Sequence, residues 1–279
     1  MGNYFELVFT IVSAEEYLPD LLMNDLAEIG FDSFDQNDLG FRAYIPTKDF
    51  DEQKVQNVLS PYKEQYTFAY EINLIPYKNW NEVWESSFQA IDVAGKVYIY
   101  ADFHEEKEYA HKIKIHPKMA FGTGHHETTY QMAEVMLGLD FKNKSVLDMG
   151  CGTGVLAILA YQMGANKITA IDNDALAVES TKENAELNAM NEAEILEGDA
   201  STLKGKAFDI ILANINRNIL LNDMHAYAAC LPENGLILFS GFYTEDLSLI
   251  QTEAMKYNLK MLHHQSKNNW VVATFIKNK

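Results

Sequence analysis

Residues 146–156 read VLDMGCGTGVL, a pattern typical of a buried strand that runs into a glycine loop and then into a helix. Three glycines stand at alternate positions in it, Gly150, Gly152 and Gly154. Because glycine has no Cβ, the backbone of such a loop can approach a ligand closely. We therefore expect an α/β fold that binds a ligand at the carboxyl edge of a parallel sheet.

An acid follows at the spacing expected for a nucleoside ligand. Asp172 stands 22 residues after Gly150, at the end of the next apolar run, residues 167–171. A carboxylate there can accept hydrogen bonds from both hydroxyls of a ribose. The alternative is a glycine-rich turn that binds nothing, which the paired acids Asp148 and Asp172 disfavour.

The spacing of the glycines indicates which cofactor fits. A dinucleotide-binding loop reads Gly-x-Gly-x-x-Gly, whereas this one reads Gly-x-Gly-x-Gly and continues with Val155. Asp148, two residues before the first glycine, would repel a pyrophosphate and attract a cation. S-adenosylmethionine carries a sulfonium and an ammonium group and no phosphate, so we predict it as the cofactor in preference to NAD.

Two later strands end in polar side chains that we assign to the same site. Asp199 follows the apolar run 193–197, where an acid can accept from the adenine amino group, although Gly-Asp is also an ordinary turn. Asn214 follows the strand-like run 208–213, and an amide at that end of a strand faces the ligand crevice. A strand-terminating asparagine without a ligand is the alternative for Asn214.

Composition limits the class of protein. The 279 residues are 48% apolar and 22% charged, as in ordinary soluble globular proteins. We find no apolar run long enough to span a membrane and no signal peptide, and we expect no membrane partner. Two cysteines, Cys151 and Cys230, do not make a disulfide framework, which favours the cytoplasm. No Cys/His cluster has metal-ligand spacing, so no metal is expected.

The charge is strongly acidic. The net charge is −18, and residues 1–76 alone carry 14 acidic and 4 basic side chains. This argues against direct binding of nucleic acid, which requires a basic surface. It favours a basic partner or a cationic ligand through long-range attraction, although acidity also serves solubility in general.

Hydrophobic periodicity predicts a small front domain, residues 1–76. We expect strands over 4–11, 31–34, 39–45 and 67–75 and helices over 14–29 and 51–59, with Pro61 as a stop. The order βαββαβ is that of a ferredoxin-like α+β sandwich.

The rest of the chain is predicted to hold a linker and the cofactor-binding domain. Residues 77–120 form the linker and lid region, with Trp80 and Trp84 on one face of a helix over 79–89 and short strands over 97–100 and 112–115. Residues 121–279 alternate helices and strands, as βαβ units do. A final hairpin, 260–264 with 270–276, adds an antiparallel strand.

The segment AFGTGHHETT, residues 120–129, is the second informative stretch. Glycines on both sides of Thr123 predict a turn, followed by a helix capped by Thr128 or Thr129. The free N–H groups of a helix start suit the cofactor carboxylate, so the segment could fold over the cofactor as a lid. His125 and His126 have no acids or cysteines at ligand spacing, which makes a metal or acid–base role the less favoured interpretation.

With MAFGTGHHETT (119–129) and LDMGCGTG (147–154), the chain resembles the PrmA family of bacterial methyltransferases, which act on large-subunit ribosomal protein eleven. The resemblance extends over the whole chain, and its specific part is the FGTG loop followed by His-x-Thr-Thr. It implies a class I methyltransferase domain, with a Rossmann-like seven-stranded sheet and an antiparallel last strand. It also implies a front domain that recognises the ribosomal protein.

The resemblance implies cofactor contacts at Thr129, Gly150, Asp172 and Asn214. To these we add Phe121, Thr123, Gly152 and Asp199 as expected cofactor-binding residues. The chain departs from the family pattern in three places. It has His116-Pro117-Lys118 in place of Asp-Pro-Gly, it has His125 and Glu127 in place of a small residue and a proline, and it varies at residues 215–218.

Asn214 is the candidate catalytic residue. We expect its amide oxygen and neighbouring backbone carbonyls to accept N–H bonds from a neutral amine, which directs the amine lone pair at the methyl carbon. The expected partner is a basic large-subunit ribosomal protein, methylated on lysine side chains and its N-terminal α-amine by a monomeric enzyme. The alternatives are a methyltransferase of another protein or small amine, a catalytically silent cofactor-binding adaptor, and an NAD-dependent oxidoreductase.

Overall fold

The chain divides into two units, Met1–Trp80 and Asn81–Lys279. The computed structural model describes residues 3–13, 15, 17–37, 39–76, 88–117 and 122–279. Each unit has hydrophobic core residues of its own. None of the described helices combines the length and the hydropathy that a membrane span requires.

The first unit is a four-stranded antiparallel sheet with two helices. Its elements have the predicted order βαββαβ: β1 (Tyr4–Ile11), α1 (Leu18–Glu28), β2 (Ser33–Asn37), β3 (Gly40–Pro46), α2 (Glu52–Lys63) and β4 (Phe68–Ile75). The strands lie in the order β2-β3-β1-β4, and all neighbours are antiparallel. Leu18, Leu22 and Leu26, four residues apart on α1, are fully buried in one core with Leu7 and Phe9 of β1.

Both helices of this unit differ from their predicted bounds. Helix α1 begins at Leu18, because Pro19 occupies its first turn, where a missing N–H costs nothing. Asp51 caps α2 by accepting the N–H bonds of Gln53 and Lys54 at 3.0 and 3.2 Å. The expected stop at Pro61 is wrong, since α2 continues to Lys63 with Pro61 inside. Pro61 lies in the last turn, so the bond it removes is at the end of the helix and the turn survives.

The second unit opens with a small sheet that packs into its core. Its strands are β5 (Ile91–Val93), β6 (Val97–Tyr100) and β7 (His111–Lys114), with β5 antiparallel and β7 parallel to β6. Val93, Val97 and Ile113 are fully buried in the same cluster as Ile158. The described residues 88–117 are therefore part of this unit, which differs from the linker predicted over 77–120. The expected helix over 79–89, with Trp80 and Trp84, lies outside the described residues except for 88 and 89, which are not helical.

The main sheet of this unit has seven strands. They are β8 (Ser145–Met149), β9 (Lys167–Asp172), β10 (Glu194–Glu197), β11 (Ile210–Asn214), β12 (Leu236–Tyr243), β13 (Leu259–Lys267) and β14 (Trp270–Lys277). The described helices around it are α3 (Glu127–Met136), α4 (Val155–Gln162), α5 (Ala175–Leu187), α6 (Arg217–Cys230) and α7 (Leu247–Lys256). The spatial order is β10-β9-β8-β11-β12-β14-β13. The first five strands are parallel, and β14 is antiparallel to both of its neighbours, which confirms the predicted sheet.

The topology fixes where a ligand can enter. The direction of chain progression reverses between β8 and β11, and the crevice at such a point lies beyond the carboxyl ends of the parallel strands. The β13–β14 hairpin turns at Asn268 and Asn269, whose φ values of 50° and 66° suit a type I′ turn. Because β14 runs antiparallel, its first residue, Trp270, lies at the same edge and pairs with Tyr243, the last residue of β12.

Candidate functional site

The glycine loop closes tightly between β8 and α4. Gly150 and Cys151 donate their N–H groups to the carbonyl of Ile171, at 2.8 and 3.1 Å. Gly150 has a φ of 74°, and a Cβ on it would lie 2.2 Å from Cγ2 of Ile215. Only glycine fits there, because a side chain would be strained by the backbone and would clash with Ile215. The loop is thus held against the ends of two neighbouring strands.

The carboxylate of Asp172 is fixed by the backbone around it. Oδ2 accepts the N–H of Gly152 at 2.9 Å, and Oδ1 accepts the N–H of Asp174 at 3.0 Å. An ionised carboxylate offers about four acceptor positions, so each oxygen retains one for a ligand. Asp172 therefore has the geometry of an acceptor for two hydroxyl groups at the edge of the sheet.

Asp148 does not have the position we inferred for it. Its side chain is 1% exposed, and Oδ2 accepts the N–H of Ala157, in the first turn of α4, at 3.0 Å. Burial raises the pKa of Asp148 to about 7, while the Ala157 N–H lowers it and the nearby Asp172 charge raises it. The first four N–H groups of a helix have no acceptor within the helix. The Asp148 carboxylate therefore points inward, where it accepts one of them. Of the pair Asp148 and Asp172, Asp172 therefore lies at the rim of the cleft and Asp148 does not.

Cys151 has no nucleophilic character in this loop. It is buried, and burial raises the pKa of its thiol. Its sulfur accepts a hydrogen bond from the Thr181 hydroxyl at 3.3 Å. Cys151 is therefore a packing residue.

Asp199 lines the same cavity as Gly150 and Asp172. It caps the 3₁₀ turn Ala200–Leu203, and its Oδ1 accepts the N–H of Ser201 at 2.8 Å. Hydrogen bonds from Ser201 hold the pKa of Asp199 below its usual value. The side chain is exposed and lies in the same cavity as Asp172.

Asn214, the last residue of β11, meets the lid helix. Its Nδ2 donates to Oγ1 of Thr129 at 3.2 Å, and both side chains are buried, at 8% and 1% exposure. Asn214 Oδ1 is buried and has no partner among the described residues. An unpaired buried carbonyl is costly, so this oxygen indicates a ligand donor that completes the site.

The lid segment is described from Gly122 onward. Gly122 packs on the glycine loop, where a Cβ on it would lie 3.3 Å from the Thr153 hydroxyl. Gly122, Thr129, Gly150 and Asn214 line one void of about 10 Å³, which is too small for a ligand and shows that lid and loop are in contact. The predicted cofactor residue Phe121 lies outside the described residues.

The two histidines of this segment make different contacts. The cap of α3 is His126, whose Nδ1 accepts the N–H of Thr128 at 3.3 Å, so a cap at Thr128 or Thr129 is wrong. Thr128 Oγ1 itself lies 2.8 Å from His126 Nδ1, which places that threonine inside the helix.

His125 packs edge-on against Phe88 at 4.7 Å, burial lowers its pKa, and its Nδ1 lies 3.3 Å from Thr123 Oγ1. The described residues contain no group of three or more His, Cys, Asp or Glu that could hold a metal ion.

A cleft with two lobes surrounds these residues. The larger lobe, about 590 Å³, is lined by Gly150, Asp172 and Asp199, and by residues of the 3₁₀ turn and α6. The smaller lobe, about 370 Å³, also contains Gly150 and Asp172 and adds Gly152 and Asn214. Of the predicted cofactor-binding residues, Thr123 is not among the described residues that line either lobe. Thr129 contacts the site through its hydrogen bond with Asn214.

The lining favours a cation. Among the described residues of the two lobes, none is lysine or arginine, whereas Asp172, Asp199 and Asp223 contribute carboxylates. A phosphate-bearing ligand would meet repulsion there, and a sulfonium or ammonium group would meet attraction. The residues present therefore fit S-adenosylmethionine, as the glycine spacing predicts.

Sequence reasoning missed one wall of the smaller lobe. Trp270 and His126 line it together with Gly241, and their rings lie 4.8 Å apart at 69°. The signal was present, because the first residue of an antiparallel last strand lies where parallel strands end.

Three comparisons place these features among known proteins. A protein-family model described as ribosomal protein L11 methyltransferase (PrmA) matches residues 19–278. The chain is 44% identical over 278 residues to a ribosomal protein L11 methyltransferase of Phocaeicola vulgatus, which covers 98% of this chain and 99% of that protein. It is 42% identical over 282 residues to the protein of the same name in Bacteroides fragilis, with 98% and 99% coverage. A crystal structure of ribosomal protein L11 methylase from Lactobacillus delbrueckii subsp. bulgaricus matches with a TM-score of 0.63 at 23% identity, over 69% of this chain and 99% of that one, which supports the fold.

Proposed function

Since the chain belongs to the ribosomal protein L11 methyltransferase (PrmA) family, we propose that it methylates amines of ribosomal protein L11, on lysine side chains and on the N-terminal α-amine. The methyl donor is S-adenosylmethionine. The observation that carries this proposal is the unpaired, buried Oδ1 of Asn214 at a phosphate-excluding cleft. An amide oxygen that lacks a donor suits an incoming amine.

The larger lobe is assigned to the adenosine part of the cofactor. Asp172 accepts the ribose hydroxyls with the oxygen positions left free by Gly152 and Asp174. Asp199, which lines the same lobe, accepts the adenine amino group. Gly150 and Gly152 let the backbone lie close to the ligand, and the start of α3, with Thr129, supplies N–H groups for a carboxylate. Phe121 and Thr123 in the lid complete the proposed set.

Asn214 is assigned to the transfer site in the smaller lobe. When bound, the cofactor supplies a methyl group on a sulfonium; the sulfur–carbon bond breaks as a nitrogen–carbon bond forms, and the amine nitrogen gives one proton to solvent. Only a neutral amine has the lone pair for this step. A lysine has a pKa of about 10.4, so its neutral form at pH 7 costs roughly 4–5 kcal/mol.

The acceptor that the chain offers to the amine adds less to this cost than a charged group would. Asn214 Oδ1, buried in the cleft, is a hydrogen-bond acceptor that carries no charge. It therefore holds a neutral amine without stabilising the ammonium form as a carboxylate would. Thr129 accepts a hydrogen bond from the amide nitrogen of Asn214, and the amide oxygen has no partner among the described residues.

The front domain, residues 1–76, is assigned to recognition of the substrate. Its 14 acidic and 4 basic residues attract a lysine-rich protein before docking. We propose further that the enzyme acts as a monomer in the cytoplasm, with no direct contact to nucleic acid. Association that stays constant between low and high salt would contradict the electrostatic part of this assignment.

The test is methyl transfer from radiolabelled cofactor to purified ribosomal proteins, each presented separately. We expect label on L11, and no label on L11 whose amines have been acetylated beforehand. Label on a different protein would show the related methyltransferase activity with another substrate. Tight binding of S-adenosylhomocysteine with no transfer to any ribosomal protein would favour the silent adaptor.

A further inference from the structure

An aromatic wall faces the transfer site. We use this name for Trp270, Tyr243 and His126. Trp270 and His126 line the same lobe of about 370 Å³ as Asn214. The ring of Tyr243 lies 4.1 Å from that of Trp270 at 35°, and the His126 ring lies 4.8 Å from Trp270 at 69°.

The backbone holds this wall in place from several directions. The β12 strand bulges at Gly241, which has a φ of 91° and where a Cβ would lie 2.2 Å from the Ile215 carbonyl oxygen. The bulge shifts the register so that Tyr243 pairs with Trp270. On the other side, Gln131 Nε2 of α3 donates to the Trp270 carbonyl at 3.1 Å.

A partly exposed ion pair fixes the end of β12. Asp246, 8% exposed, accepts the Tyr243 N–H at 3.2 Å and pairs with Arg217 at 2.7 Å. Tyr243 nevertheless remains 44% exposed. A bulge and an ion pair therefore hold aromatic rings that do not belong to the hydrophobic core. This arrangement indicates a ligand-binding surface.

Hydrogen bonding alone cannot hold every form of the substrate. On the proposed function, on which this inference rests, Asn214 Oδ1 accepts N–H bonds from the neutral amine. A primary amine offers two N–H donors, a monomethylated amine offers one, and a dimethylated amine offers none. The attraction of Asn214 for the substrate therefore falls with each methyl group added.

The aromatic wall has the opposite dependence. Each methyl group adds apolar surface that packs on an aromatic face, and methylated ammonium groups bind such faces by cation–π attraction. We propose that the aromatic wall, centred on Trp270, sets how many methyl groups each amine receives, by holding the partly methylated amine for the next round. Each round breaks one sulfur–carbon bond of a fresh donor and forms one nitrogen–carbon bond. The first and second rounds on a neutral amine each release one proton to solvent, and the third leaves a quaternary ammonium group that has no proton to lose.

The test is the distribution of mono-, di- and trimethylated products on L11, read by intact-mass spectrometry at equal total turnover. We expect Trp270→Leu to lower the rate of the later rounds by about tenfold relative to the first, and Trp270→Phe to keep the wild-type distribution. Tyr243→Leu, which leaves Trp270 present, should shift the distribution in the same direction by less. Phe103→Leu is the matched control, because Phe103 is 55% exposed and outside both lobes.

The outcomes separate this inference from the function on which it rests. Cofactor affinity and thermal stability of each variant are measured first, so that Tyr243→Leu carries the test if Trp270→Leu does not fold. An unchanged product distribution in the folded variants, or wild-type enzyme that stops at one methyl group, would overturn the role of the wall and leave the proposed function intact. Failure of the wild-type enzyme to methylate L11 at all would overturn both.

Discussion

Asn214 at the end of β11 donates its amide N–H to Oγ1 of Thr129, 85 residues earlier in the chain, and its buried amide oxygen has no partner among the described residues. This hydrogen bond joins the two segments that sequence motifs single out separately. The bond occupies one end of the Asn214 amide and ties this side chain to helix α3. The Thr129 hydroxyl thus holds the side chain of Asn214 in place.

The first prediction concerns the acceptor itself. Asn214→Ala should lower kcat by about 10²- to 10³-fold, because the amine loses the group that orients its lone pair. The affinity for S-adenosylhomocysteine should change by less than about threefold, since the cofactor is held mainly in the other lobe. Single-turnover kinetics and calorimetry measure the two quantities. Wild-type turnover by Asn214→Ala would reject the assigned role.

The second prediction concerns orientation. Thr129→Val keeps the shape of the side chain and removes the hydroxyl, so the amide of Asn214 can rotate and we expect kcat to fall by about tenfold. Thr129→Ser keeps the hydroxyl and should remain within about twofold of wild type. Equal losses in both variants would show that the methyl group matters and the hydrogen bond does not.

The third prediction concerns the ribose. Asp172→Asn replaces one carboxylate oxygen with an NH₂ group, which cannot accept from Gly152 or Asp174 and from a hydroxyl at once. We expect the Kd for S-adenosylhomocysteine to rise by roughly ten- to a hundredfold by calorimetry. Glu179→Gln, an exposed acid on the neighbouring helix α5, is the control and should bind normally. Unchanged affinity in Asp172→Asn would place the ribose elsewhere.

Local pattern was enough to predict the elements that build the site. The strand β8, the glycine loop and α4 follow each other directly, so their identity depends on residues 145–162 alone. Asp172 and Asn214 could be placed because each is the last residue of a parallel strand, and such ends meet at one edge. The same reasoning gave the antiparallel hairpin β13–β14.

Details that depend on competing partners could not be predicted in this way. Whether Asp148 faces the ligand or the helix depends on the unpaired N–H of Ala157, which becomes a neighbour only after α4 forms. The cap of α3 is His126 because its ring nitrogen accepts the backbone N–H of Thr128, a role that sequence patterns rarely assign to histidine. Trp270 lies at the site because of the register between β12 and β14. A bulge in β12 shifts that register.

The fourth prediction separates backbone strain from close contact in the loop. Gly150→Ala places a Cβ 2.2 Å from Ile215 at a φ of 74°. Gly205→Ala is a matched control, since Gly205 has a φ of 79° and nothing within 4 Å of its would-be Cβ. We expect Gly205→Ala to cost about 1–2 kcal/mol from the left-handed backbone alone. Gly150→Ala should cost at least about 1 kcal/mol more in urea unfolding.

A second substitution identifies the source of that extra cost. Ile215→Ala removes the atoms that the new Cβ would meet, so the double variant Gly150→Ala/Ile215→Ala should be less destabilised than the two single changes add up to. Simple additivity would show that Ile215 is not the obstacle and that the strain lies in the backbone of the loop.

The fifth prediction follows from the buried carboxyl group of Asp148. Its pKa is raised to about 7 in the folded protein from an ordinary value of 3.8, first by burial. Between these two values the folded state binds a proton that the unfolded state has lost, so stability decreases as the pH rises from about 4 to about 7 and is level above that. From pH 5 to pH 8 the loss from this group is on the order of 3 kcal/mol. Asp148→Asn cannot titrate and keeps an oxygen for the Ala157 N–H, so it should lack this part of the pH dependence.

The measurement is the free energy of unfolding in urea at pH 5 and pH 8 for the cofactor-free protein. The difference between the two values should be larger in the wild type than in Asp148→Asn, with the wild type losing stability at pH 8. Glu192→Gln, an exposed acid with its side chain in solvent, should behave as the wild type does. If wild type and Asp148→Asn change in parallel, Asp148 is ionised in the folded protein at pH 5. Its negative charge would then lie beneath the glycine loop throughout this range and add to the attraction for a cationic cofactor.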